Sequence, residues 1–136
     1  MKHLGNKYPI PASVTTLLDS LPVGEVFLTG SRWLGYASPS SDWDFFIQSC
    51  PMHEKTLQRI GYTQIPTMFY SDPSVVKVYL SPCGEIHIQL VRDSYLKSQV
   101  QDKIAPTLRS LYLIKDTELR KKTARLVWQA ALRAAQ

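Results

Sequence analysis

Residues 27–47 read FLTGSRWLGYASPSSDWDFFI. An apolar run ends at Gly30, Ser31 follows, and after ten further residues Asp42 and Asp44 flank Trp43 at the start of a second apolar run. Each apolar run has the length and composition of a buried strand. Glycine at the end of the first allows a backbone conformation closed to other residues and lets a ligand come close. Ser31 then opens a predicted helical turn, where free N–H groups favour an anion. In an extended segment Asp42 and Asp44 point to the same face. Carboxylates held that close repel unless a cation lies between them. Mg²⁺ suits hard oxygen ligands and commonly shares its shell with phosphates.

Taken singly, an Asp-x-Asp pair or a Gly-Ser turn is common and says little. The ordered set is more specific: strand, Gly-Ser, ten-residue spacer, Asp-x-Asp, strand. In this form, TGSRWLGYASPSSDWDF resembles the signature of the DNA polymerase β-like nucleotidyltransferase superfamily. Arg32, Gly35 and Ser41 extend the likeness toward small stand-alone and phage-encoded members. The resemblance covers residues 26–47 closely and reaches loosely to about residue 92. It implies a nucleotidyltransferase fold with a core sheet of roughly three to five strands. It also implies Gly30, Ser31, Arg32 and Ser41 near a nucleoside triphosphate, and Asp42 and Asp44 on divalent ions, Mg²⁺ or Mn²⁺. A guanidinium fork such as that of Arg32 suits a phosphate oxygen, the alternative being a surface arginine.

Members of that superfamily usually carry a third acid on a neighbouring strand. The candidate strand is GEIHIQLVRD, in which alternation puts Glu85, His87 and Gln89 on one face and Ile86, Ile88 and Leu90 toward the core. The register of related strands lands on His87. Three readings stand: His87 replaces the acid as neutral metal ligand or general base; Glu85 reaches in instead; or the site binds without turning over.

The rest of the chain supplies a frame. A helix capped by Ser13 is expected through about Ser20, with Val14, Leu17, Leu18 and Leu21 on one face, ended by Pro22 and Gly24. Pro51 opens a helix closed by Gly61. Pro66 makes YTQIPTMF an edge strand or a loop. SVVKVYL and EIHIQLV form a hairpin across SPCG. From Asp93 three helical segments are expected: SYLKSQVQDKI, PTLRSLYLI and TELRKKTARLVWQAALRAA. The last has an apolar stripe of Leu119, Ala124 or Leu126, Val127, Ala130 and Ala131. Opposite it, Arg120, Lys121, Lys122, Arg125 and Arg133 read as a solvated face or as a docking surface for an RNA end or an acidic protein. This order predicts one α+β domain, with a core over about 12–92 and a helical segment over about 93–136.

At 136 residues with 44% apolar and 20% charged content, the composition is that of a globular domain. No run of about 18 apolar residues suggests a membrane span. MKHLGNKYPIPAS does not resemble a secretory signal, so a cytoplasmic location is expected. Cys50 and Cys83 have no CxxC pairing and are expected as reduced thiols. A net charge of +5 and a pI near 9.3 suit an anionic partner or simple solubility. Trp43 is expected on the far face from its flanking acids. Trp33 or Tyr36 could stack on a base, although core packing is the commoner use of such rings. His3 and His53 have no partner at a ligand-like spacing.

The expected activity is metal-dependent transfer of an NMP from an NTP to a hydroxyl on a protein, an RNA 3′ end or a small molecule. The competing expectation is a degenerate nucleotidyltransferase fold that binds a nucleotide or a partner, as in a toxin–antitoxin or phage–host contest. Its mark in the sequence is the histidine at position 87.

Overall fold

The computed structural model describes residues 9–22, 25–67 and 72–136. His3, most of the expected N-terminal lead-in, the stop at Gly24 and the end of YTQIPTMF lie outside them. The chain is α+β. A five-stranded mixed sheet runs in the order β1-β2-β5-β4-β3, with β1 Phe27–Thr29, β2 Trp43–Gln48, β3 Thr63–Ile65, β4 Val75–Leu80 and β5 Ile86–Val91. β2 and β5 are parallel; β1 pairs with β2, β4 with β5 and β3 with β4, all antiparallel. β3 is an edge strand, as Pro66 requires.

Phe45, Ile47, Ile86, Ile88 and Leu90 are fully buried and form the middle of the core. Both central strands are covered on both faces, which explains their near-continuous apolar sequence. The helix α1, Ala12–Ser20, adds Val14 and Leu17. It begins one residue before Ser13, so the serine is not its cap. The Pro11 carbonyl opens it by accepting from Val14 and Thr15 N–H, each at 3.1 Å. The short α2, Gly30–Leu34, ends on Gly35 at φ 89°. In α3, Pro51–Arg59, Pro51 stands at the helix start. Its His53 is buried: Nδ1 lies 2.7 Å from the Gln48 carbonyl oxygen and Nε2 3.4 Å from Glu25 Oε2.

The C-terminal helices depart from expectation twice. α4 runs unbroken over Ser94–Ser110, through Pro106, rather than as two segments. Proline removes one helical N–H, but Val100, Ala105 and Leu108 are buried on either side of it, and that packing holds the helix together. It continues into a 3₁₀ turn at Leu111–Leu113. α5, Thr117–Ala135, keeps Ala124 and Val127 of the expected stripe and departs from the rest of it. Leu119 and Leu126 are exposed, while Ala124, Val127, Trp128 and Leu132 pack inward. Both sets recur at helical spacing; the bulk of Trp128 and Leu132 selects the second. No helix among the described residues is long and apolar enough to cross a membrane.

Candidate active site

Strand pairing builds the site. Thr29 pairs with Asp44 across β1–β2, and Asp44 with His87 across β2–β5, so the end of β1, the acids and the histidine meet. Asp42 precedes β2 and points the same way. His87 Nδ1 lies 3.7 Å from Asp44 Oδ1 and 3.8 Å from Asp42 Oδ2. These separations are too long for hydrogen bonds, and Nδ1 is buried with no hydrogen-bond partner among the described residues. Burial pushes the Asp44 carboxyl up to about 6; the charge of His87 pulls it back, and that of Asp42 raises it further.

Gly30 explains itself here. Its φ is +71°, and a Cβ on it would stand 2.7 Å from Asp44 Oδ2. Only glycine lets the β1–α2 turn pass so close to the carboxylate. Ser31 follows, its hydroxyl making no hydrogen bond to the described residues.

These groups line a cavity of about 720 Å³. The lining includes Gly30, Ser31, Ser41, Asp42, Asp44 and His87, and α5 adds Arg120, Lys121 and Arg125, the Lys121 charge reaching Asp44. Part of the basic face that sequence reads as solvated or as a docking surface therefore borders the site. Lys122 and Arg133 are exposed and do not line it. Arg120 and Arg125 are half-buried, and Lys121 lines the cavity while remaining exposed. Tyr112 joins them, stacked on Tyr36 at 4.2 Å and 4° and covered by the Arg120 guanidinium at 4.6 Å. Both ring faces are occupied, which leaves Tyr36 packed as well as half exposed. Trp33 is buried in the core and borders the cavity.

Two expected site residues lie elsewhere. Arg32 is buried on the reverse side of the sheet, its guanidinium 4.3 Å from the Trp43 ring centre. Its Nη2 donates to the Ser41 carbonyl at 2.7 Å and to that of Pro39 at 3.4 Å. It ties down the loop before Asp42 and does not line the cavity. Helical rotation in α2 is the reason: Ser31 and Arg32 are adjacent and point about 100° apart. Glu85 stands just before β5, exposed, and borders a second cleft with Arg32 and Trp43. The hydrogen bond that Trp43 N–H donates to the Glu85 carbonyl, 2.8 Å, holds its backbone at the strand entrance. Trp43 faces away from the acids, as alternation requires.

The two carboxylates suit a divalent cation in chemistry, and an imidazole nitrogen lies beside them. Among the described residues no group of three or more His, Cys, Asp or Glu side chains is placed to hold a metal ion. No protein-family model matches the chain, and no curated protein or solved structure matches it either.

Proposed function

We propose that the chain is a metal-dependent nucleotidyltransferase, moving an NMP from an NTP to a hydroxyl acceptor. One observation carries the reading: Asp42, Asp44 and His87 converge on a cavity that Arg120, Lys121 and Arg125 also line. An acid pair suits a cation and a basic wall suits polyphosphate; a nucleotide–metal complex carries both. The signature at 27–47, with Gly30 pressed against Asp44, points the same way.

In this mechanism Asp42 and Asp44 hold Mg²⁺ or Mn²⁺, which when bound supplies Lewis-acid stabilisation at the reacting phosphate. The α5 cations draw in and orient the departing pyrophosphate. Ser31 and the backbone at Gly30 steady the phosphates without adding charge. His87 Nδ1, which has no hydrogen bond of its own, takes the proton of the attacking hydroxyl. Arg32 acts from behind by fixing the loop that carries Asp42.

A binding module without turnover is the second reading. It is favoured by the imidazole that stands where a third carboxylate would complete the acid set. Incubation with α-labelled NTPs, Mg²⁺ or Mn²⁺ and cell lysate separates the two. Label transfer that disappears in Asp42→Ala and Asp44→Ala is the expected result. Retained nucleotide binding with no transfer to any acceptor would sink the enzyme and leave the module.

A further inference from the structure

Two residues past His87, Gln89 borders the same cavity on β5. It is only 8% exposed. Behind it lies Lys97 of α4, 3% exposed, with Nζ 3.0 Å from Gln89 Oε1. An ammonium has no lone pair and can only donate, so the amide atom turned toward it must be the oxygen. That fixes the NH₂ group on the other branch. Among the described residues Nε2 has no hydrogen-bond partner. The other glutamine of the cavity behaves differently: Gln101 accepts from the Thr29 hydroxyl and donates to the Leu28 carbonyl, so both its ends are engaged.

The chemistry of a ligand that would accept from Nε2 follows from charge. Lys97 is neutralised by Asp72, whose Oδ2 lies 2.7 Å from Nζ, so Gln89 presents a donor with no net charge behind it. Phosphate is better served by the α5 cations. The cavity lining also includes Trp33, Leu108 and Trp128, an apolar setting for the flat part of a nucleoside. We propose that Gln89 donates Nε2–H to a neutral oxygen of the nucleoside, either a keto group of the base or a ribose hydroxyl. Lys97 is the positioning residue that stops the amide from flipping to accept. The site then reads donor-only at this point and discriminates against a ligand that presents an amino group there. This inference rests on the nucleotide reading above.

The test is equilibrium dialysis of labelled GTP, ITP, ATP, 2′-deoxy-GTP and 3′-deoxy-GTP with Mn²⁺. It compares the wild type with Gln89→Met and Gln89→Leu, each checked for folding by thermal unfolding. If the partner is a keto group, the wild type binds GTP and ITP roughly fivefold to tenfold more tightly than ATP. If it is a ribose hydroxyl, one deoxy nucleotide shows that loss and the bases are bound alike. In either case the difference collapses in both variants. In the wild type the side-chain NH₂ signals of Gln89 also shift on nucleotide addition, a readout that needs no variant to fold. Nucleotide binding that is indifferent to residue 89, with no such shift, overturns this inference alone. A wild type that binds no nucleotide overturns the wider reading with it.

Discussion

His87 stands opposite Asp44 in the parallel β2–β5 ladder, with Nδ1 3.7 Å from Oδ1 and no hydrogen bond between them. The two side chains are held face to face by the sheet rather than by each other. Their approach is therefore a property of the backbone register, and it persists when either side chain is changed.

Asp44 makes stability depend on pH. Burial raises its carboxyl from 3.8 to about 6, so folding favours the protonated form. The folded state binds more protons than the unfolded chain between those values, and stability must fall as pH rises through that window. The benefit is complete below about 4 and gone above about 6, a change on the order of 2 kcal/mol. Asp44→Asn removes the slope and leaves the metal-free protein more stable than wild type at pH 7. Urea unfolding of both proteins between pH 4 and 7 checks this; parallel curves would contradict it.

Gly30→Ala puts a Cβ within 2.7 Å of Asp44 Oδ2 on a backbone at φ +71°. The expected cost is about 1–3 kcal/mol, and the displaced carboxylate weakens metal-dependent nucleotide binding by more than the stability loss accounts for. Gly84→Ala serves as the control, since it shares the positive φ but meets no atom within 4 Å. Thermal unfolding of both, with nucleotide titration, separates strain from displacement.

The Lys97–Asp72 pair is buried, and each partner neutralises the other. Burial lowers the Lys97 ammonium, and Asp72 opposes that shift. Asp72→Ala leaves an uncompensated charge between Phe46 and Trp128 and should cost about 3–5 kcal/mol. The double change Asp72→Ala with Lys97→Met should recover most of that loss. Denaturation of the three variants decides it: a double variant no more stable than Asp72→Ala would show that the charge is not the problem.

Arg32→Lys keeps a positive charge but loses the planar guanidinium over Trp43 and its hold on the Ser41 carbonyl. A loss of about 1–2 kcal/mol in stability is expected. Nucleotide affinity should fall too, although residue 32 does not border the cavity, because the loop before Asp42 loosens. Affinity equal to wild type in this variant would refute the anchoring role.

Neutralising Arg120, Lys121 and Arg125 together should weaken NTP binding at least tenfold and flatten its dependence on salt. Neutralising Lys122 and Arg133, which are exposed and off the lining, should do little. Titrations at two ionic strengths compare the two sets.

The sheet and the acid pair were legible because their signals are local. Alternation placed Asp42 and Asp44 together, sent Trp43 away and paired SVVKVYL with EIHIQLV, and the order of elements gave the α+β class. Position 87 beside the acids was what the family resemblance implied, and His87 does pair with Asp44. The rest depended on rotation. Arg32 was misplaced because one residue along a helix turns a side chain by about 100°, and nothing local fixes where α2 starts. That Arg120, Lys121 and Arg125 border the cavity was not legible either, because tertiary packing of Trp128 and Leu132 fixes how α5 is turned. Pro106 looked like a break because burial on either side cannot be seen in a local window. Lys97, Asp72 and Gln89 come from three separate segments, and no spacing rule joins them.

Opposite charges lining one cavity have a thermodynamic consequence. A cation placed on the acids alone faces the basic wall of α5, and a polyphosphate on that wall alone faces the acids. Each half-filled state carries an unbalanced charge that the other ligand cancels. On the proposed function the two are expected to bind with positive cooperativity, each raising the affinity of the other by the same factor, which makes the cavity a detector of the pair rather than of either component.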